Sequence, residues 1–106
     1  MAKGYVNIAV NSTRASFKSI VNFSDDLEDG NIYAVGIIDT ISVSYEELKK
    51  SAKPIVSYNA ETKVLKLIGK SVNISINKSE INCDLTIVVE DAEDIFNRLF
   101  KEPNLF

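Results

Sequence analysis

The chain has 106 residues, a formal net charge of −3 and 45% hydrophobic residues, which is the composition of one ordinary globular domain. No apolar run approaches the roughly 18 residues of a membrane span, and no signal-peptide core follows the first residues. The sequence has no His and one Cys, which excludes Ser–His and Cys–His nucleophile pairs and a zinc site with Cys or His ligands. We therefore expect a cytoplasmic, non-enzymatic single domain over 1–106 with a short tail at 103–106, and no cofactor or small-molecule substrate.

Alternating apolar and polar residues predict two strands near the start of the chain, over 5–11 and 15–23. The second segment also fits a helix, in which Phe17, Ile20 and Val21 would cluster. The strand template matches it better, because its apolar residues recur mainly at every second position. The two strands would then form a hairpin with its turn at 12–14.

The apolar segment 32–38 carries hydrophobic residues on both faces, a pattern typical of a central strand. We expect this strand to continue to Val43 with a break near Asp39. Asp39 stands where the alternation requires an apolar residue, and a carboxylate buried there would have a raised pKa and could serve in proton chemistry. We favour instead a bulge or turn at Asp39-Thr40 that places the side chain in solvent.

The clearest local signal predicts a short helix over 45–53. Ser44 fits the N-cap position, and Glu47 three residues later completes a capping box. Lysines crowd the C-terminal end, where the helix dipole favours cations, and Pro54 would stop the helix.

The second half of the chain is typical of a meander that ends in a second helix. Strands are predicted over 55–58, 63–69, 71–77 and 81–89. An amphipathic helix is predicted over 92–101, with Asp91 as its cap. The expected fold class is therefore α+β: an antiparallel, meander-rich sheet of about six or seven strands with two short helices covering one face.

The one cysteine, Cys83, is a candidate nucleophile. It lies in the middle of the 81–89 strand, in register with aliphatic residues, so its thiol should face the core. A buried apolar setting raises the pKa of a thiol and makes it inert, and we expect Cys83 to be structural.

Positive charge is concentrated between residues 49 and 70. This segment holds six lysines and one acid, for a net charge of +5, whereas the rest of the chain holds six basic and fourteen acidic residues, for a net charge of −8. Such polarity suits a phosphate backbone, although base-stacking aromatics are not evident. Direct nucleic-acid binding is therefore an alternative function, through Lys49, Lys50, Lys53, Lys63, Lys66 and Lys70.

The main hypothesis is a non-catalytic protein-interaction module. It would form a homodimer or serve as a small accessory subunit of a larger assembly, such as a nucleic-acid-processing one. Charge-poor strands have weak protection against edge pairing, and the C-terminus adds apolar surface. The expected interface comprises Asn73, Ser75, Asn77, Asn82, Asp84, Thr86, Phe100, Leu105 and Phe106. A second alternative is a small viral or mobile-element protein that acts as a binding inhibitor.

Overall fold

The computed structural model describes residues 2–10, 15–24 and 30–101. The strands are β1 (Ala2–Val10), β2 (Ala15–Phe23), β3 (Asn31–Val35), β4 (Thr40–Ser44), β5 (Ala52–Asn59), β6 (Val64–Ile76) and β7 (Ser79–Val89). The helices are α1 (Tyr45–Lys50) and α2 (Glu93–Lys101). The predicted turn at 12–14 and the tail at 103–106, with Leu105 and Phe106, lie outside the described residues.

The strands form an antiparallel sheet in the order β4-β3-β2-β1-β7-β6-β5, with an additional pairing between β4 and β6. That pairing closes six strands into a barrel and leaves β5 as a seventh strand on the outer edge of β6. The antiparallel prediction is confirmed, as is the strand assignment of 15–23. The predicted α+β class and meander-rich sheet fit only in part, because the sheet closes into a barrel through the pairing of Ile41 with Ile76, which are far apart in the sequence.

Strand β6 holds the barrel together because it pairs with three strands. Its first half pairs with β5, its second half with β4, and β7 lies along its other edge. The predicted strands 63–69 and 71–77 are thus one strand, bent by a bulge in which Lys70 and Ser71 oppose Asp84. Ser71 has a φ of 57°, and its backbone N–H donates to Asp84 Oδ1 at 3.1 Å.

The barrel interior is filled by the apolar side chains that point inward, at every second position of the strands. Every fully buried residue in the described part of the chain is apolar or a cysteine. The burial of these apolar side chains is the main contribution to the stability of the fold. The largest side chains with almost no exposure are Phe23, Ile8, Ile32, Ile41, Leu48, Leu65, Leu67, Leu85, Ile87 and Ile95.

Helix α1 begins as predicted and ends earlier. Ser44 Oγ accepts a hydrogen bond from the Glu47 backbone N–H at 3.4 Å, which confirms the N-cap. The helix stops at Lys50 instead of residue 53, because the backbone N–H and hydroxyl of Ser51 both turn back to the Leu48 carbonyl. Pro54 falls inside β5, at an irregularity in its pairing with β6.

Helix α2 begins at Glu93, one residue later than predicted, and Asp91 is not its cap. Asp91 has a φ of 48°, whereas an N-cap residue takes an extended conformation. The Ala92 carbonyl accepts the first helical hydrogen bond, from the Phe96 N–H. The helix is anchored by aromatic rings: Phe96 stacks on Tyr58 at a centroid distance of 4.0 Å, and Phe100 meets Tyr45 of α1 edge-on at 6.0 Å.

Candidate interaction surface

Several of the lysines proposed for nucleic-acid contact already have partners. Lys50 pairs with Glu46 at 3.1 Å, and Lys63 pairs with Glu93 at 3.0 Å. Both pairs are exposed, so each stabilises the protein only slightly. Hydrogen bonding to Glu93 raises the pKa of Lys63. Lys49 lies over the Tyr45 ring at 5.0 Å. The exposed remainder of the predicted set is Lys53, Lys66 and Lys70.

The structure brings the predicted polar residues of β6 and β7 together on the outer face of the barrel. Asn73 and Asn82 bond to each other, and Asn82 and Asp84 bond to Ser71 in the bulge. Asn82 Nδ2 donates to Asn73 Oδ1 at 2.9 Å, and Ser71 Oγ donates to Asn82 Oδ1 at 3.0 Å. With the Asp84 contact described above, these bonds satisfy the polar groups around the bulge.

Asn77 has a comparable structural role at the seam between β4 and β6. Its Oδ1 accepts from the Thr40 backbone N–H at 2.9 Å, and its Nδ2 donates to Asp39 Oδ1 at 3.0 Å. Asn77 and Lys78 both have positive φ values, 49° and 70°, which is the geometry of a two-residue hairpin turn. The side chain of Asn77 thus connects the β6–β7 turn to the start of β4 by two hydrogen bonds.

The cysteine is buried, as predicted. Cys83 is 0% exposed, and desolvation raises the pKa of its thiol to about 11. No group of three or more His, Cys, Asp or Glu side chains placed to hold a metal ion occurs among residues 2–10, 15–24 and 30–101.

The most exposed apolar side chains lie at a turn that sequence reading placed inside a strand. Strand β3 ends at Val35, and the Gly36 N–H donates to the Asp39 carbonyl at 2.8 Å, closing a tight turn. Ile37 and Ile38 form the tip of this turn and are 101% and 84% exposed. The predicted strand 32–38 is therefore wrong over its last three residues. The predicted break near Asp39 is confirmed, but the turn lies at 36–39 and not at Asp39-Thr40.

Strand β2 adds further apolar side chains beside this turn. β1 pairs with all of β2, whereas β3 pairs only with Asn22 and Phe23. Between Ser16 and Ile20 no described strand pairs with the second edge of β2. Phe17 shares the inward face with Phe23, yet it is 40% exposed because that side of the barrel wall is open.

These residues form one continuous surface, which we call the apolar patch. Two hollows share Ile20 and Ile37 in their linings and join the turn to β2. Lys18 and Asp39 lie in the lining of the second hollow and carry opposite charges. Lys18 Nζ lies 4.1 Å from the Tyr5 ring centroid. The patch consists of Phe17, Ile20, Val35, Ile37 and Ile38.

Sequence reasoning missed the apolar patch because its apolar run looked like a buried strand. Gly36 and Asp39 are turn-forming residues spaced as the ends of a four-residue turn. Their spacing was the available signal that Ile37 and Ile38 stand at a tip. Nothing in the local sequence indicated that β3 pairs with Asn22 and Phe23 and leaves the earlier residues of β2 without a partner on that edge.

None of the described helices is long and apolar enough to cross a membrane. Comparison with protein-family models, curated proteins and solved structures found no match to this chain.

Proposed function

We propose that this chain is a non-catalytic protein-interaction module that self-associates through the apolar patch. The observation that carries the proposal is the clustering of exposed apolar side chains. Among the described residues, five of the seven large hydrophobic side chains that are exposed belong to this patch, and the other two are Ile55 and Phe100. Single exposed apolar residues are ordinary, whereas a contiguous group marks an interaction site.

The charges around the patch favour a second copy as the partner. Lys3, Lys18 and Asp39 line the two hollows and sum to a net charge of only +1, so two copies meet little repulsion there. By contrast, the segment 49–70 has a net charge of +5, and two such surfaces would repel one another. A two-fold dimer is the commonest symmetric assembly.

The shape of the patch suits a protein surface. It follows a hairpin turn and an adjoining strand edge. Ile20, Ile37 and Ile38 are 70%, 101% and 84% exposed, so the hollows that they line do not enclose a ligand. A small molecule is instead held in a concave site that surrounds most of its surface. This contrast supports a binding role for the patch rather than a catalytic one.

Light scattering across a dilution series tests the proposal. We expect the native chain to be dimeric at tens of micromolar, and Ile37→Ser/Ile38→Ser to weaken the dimer at least about tenfold, because each copy loses two apolar contacts. Ile55→Ser is the matched control, since Ile55 is 50% exposed and lies on β5 away from the patch. A native chain that stays monomeric would refute self-association, and equal effects of the two variants would refute the patch.

The polar residues of β6 and β7 remain a second possible interface between copies. The hydrogen bonds of Asn73, Asn77, Asn82 and Asp84 give these residues a structural role, so we expect substitutions there to change stability before association. Asn73→Ala should therefore lower the unfolding free energy by about 1 kcal/mol through the lost bond to Asn82. It should leave the dimer intact if the apolar patch is the interface.

Nucleic-acid binding through the lysines is tested by the same preparations. If Lys66 and Lys70 contact phosphates, fluorescence anisotropy with labelled single and double strands should change at low salt and lose that change as salt rises. Lys66→Glu/Lys70→Glu should then abolish the response. The absence of any response at low salt would remove this alternative.

A further inference from the structure

The open edge of β2 explains how two copies could join. A strand edge presents backbone N–H and C=O groups that another strand can pair with. Proteins blunt such edges with proline, charged side chains, bulges or neighbouring elements. The edge of β2 between Ser16 and Ser19 has no proline and no bulge, and its one charged residue, Lys18, places its Nζ over the Tyr5 ring of β1, on the side away from the open edge.

The direction of the unpaired backbone groups follows from the seam that does form. The Ser24 N–H donates to the Tyr33 carbonyl at 3.0 Å, so the backbone of Ser24 points toward β3. Backbone groups alternate in direction along a strand. The backbone N–H and C=O groups of Ile20, Lys18 and Ser16 therefore point toward the same side. On that side β3 has ended at the turn that begins with Gly36, so no strand pairs with them.

The other open edges are less suited to pairing. β5 pairs only with β6 and carries a bulge near Lys53 and Pro54, where Lys53 has a φ of 52°. The start of β7 extends past its last pair with β1, at Asp84, and carries Glu80 and no large exposed apolar side chain. Within the described ranges, the β2 edge is the one that combines extended backbone with the apolar patch.

We propose that two copies join by antiparallel pairing of β2 with β2 of the second copy, centred on Phe17, so that the two barrels share one continuous sheet. This inference rests on the proposed self-association and specifies its geometry. Pairing centred on Phe17 uses residues 15–19 of each copy. Its hydrogen-bonding residues are Ser16 and Lys18, whereas Ser19 and Ile20 lie beside Gly36 of the turn.

Charge and side-chain size select this register. When Phe17 lies opposite Phe17 of the second copy, Lys18 of each copy lies opposite Ser16 of the other. These two Ser16–Lys18 pairs carry the backbone hydrogen bonds between the copies. A register shifted by one residue places Lys18 opposite Lys18, and like charges in that position are destabilising. The central register also covers Phe17, and its ring meets a second phenylalanine ring across the two-fold axis.

Disulfide trapping tests the register. In the proposed pairing the Cα atoms of Ser16 and Lys18 of the other copy are about 5.5 Å apart, within the range of about 4.4–6.8 Å that a disulfide requires. We expect an oxidised mixture of Ser16→Cys and Lys18→Cys to give disulfide-linked dimer, and either variant alone to give little. Cys83 can stay in place, because it is buried with a thiol pKa of about 11.

The controls separate this inference from the broader proposal. Ser57→Cys places an exposed thiol on β5, and linkage as strong as that of the mixture would mean random collision. Linkage of Lys18→Cys with itself would establish the shifted register and overturn the proposed one. A dimer by light scattering without linkage in the mixture would overturn β2 pairing and leave self-association standing, whereas a monomer would overturn both.

Amide hydrogen exchange of the native chain gives a test without substitutions. In the dimer, the N–H groups of Ser16 and Lys18 should exchange at least about tenfold more slowly than in the diluted monomer. The amide of Ser57 on β5 should show no dependence on concentration. Equal exchange of Ser16 and Lys18 at both concentrations in a chain that dimerises would contradict strand pairing.

Discussion

Two sides of the barrel use the same alternating pattern with different results. Where β1, β7 and β6 lie side by side, β1 pairs with β7 over six residues and β7 with nearly all of β6, and side chains such as Leu67 and Ile87 are 0% exposed. At the β2–β3 seam the pairing ends after two residues, and Phe17 stays 40% exposed on the inward face. The comparison teaches that inward alternation buries a side chain only where the neighbouring strand continues. Stability should therefore reside on the first side and binding on the second.

The largest contrast is expected between two inward-facing substitutions. Leu67→Ala should lower the unfolding free energy by about 2–5 kcal/mol, because it removes buried methyl groups and leaves a cavity. Phe17→Ala should cost about 1–2 kcal/mol in the monomer, because 40% of the side chain is already exposed to water. Urea unfolding under dilute conditions measures both values, and equal losses would mean that the β2 side is as well packed as the other.

A second expected effect is a pH dependence of the unfolding free energy, caused by the buried thiol of Cys83 in β7. The unfolded Cys83 thiol has a pKa near 9.0, and the folded thiol has a pKa of about 11. Below pH 9 the thiol is protonated in both the folded and the unfolded state. Above pH 9 the thiol of the unfolded state ionises first, so the unfolding free energy falls as the pH rises from 9 to 11. The loss should be about 1–3 kcal/mol.

The matched control for this pH effect is Cys83→Ala. Other groups also titrate in this range, and the variant keeps all of them while it removes the thiol. The difference in unfolding free energy between the two proteins should narrow by the stated amount from pH 9 to 11. A difference that stays constant would show that the thiol is hydrated in the folded protein.

The smallest expected effect concerns the seam that closes the barrel. Asn77→Gly keeps a residue that tolerates the positive φ of the turn and removes the side-chain bonds to Thr40 and Asp39. We expect a loss of about 1 kcal/mol in the free energy of unfolding. Lys78→Gly is the control, since it relieves a positive φ without breaking those bonds and should be neutral or slightly stabilising. Equal effects of the two variants would mean that Asn77 acts only through the turn.

Local features of the fold could be predicted from sequence, because their causes are local. The alternation in 15–23 predicted β2, and Ser44 with Glu47 predicted the start of α1. The buried position of Cys83 followed from its register among aliphatic neighbours. Each of these depends on residues a few positions apart.

The remaining features depend on contacts between distant segments. The closure of Ile41 on Ile76 has no local signature, and the bulge at Ser71 is satisfied by Asp84, thirteen residues later. The separation of β2 from β3 is a property of the closed barrel and not of either strand. The apolar patch arises from that separation, so its location could not be predicted from the sequence of either segment alone.

A dilution series followed by residue-resolved NMR tests the central claim most directly, because it compares all the candidate surfaces in one unmodified protein. We expect dilution from dimer to monomer to shift the backbone signals of residues 16–20 and 35–39. The signals of the lysine-rich segment 49–70 and of the polar face at 73–86 should stay unchanged. Shifts confined to either of those two segments, or no shift at any residue, would contradict the assignment of the apolar patch as the binding surface.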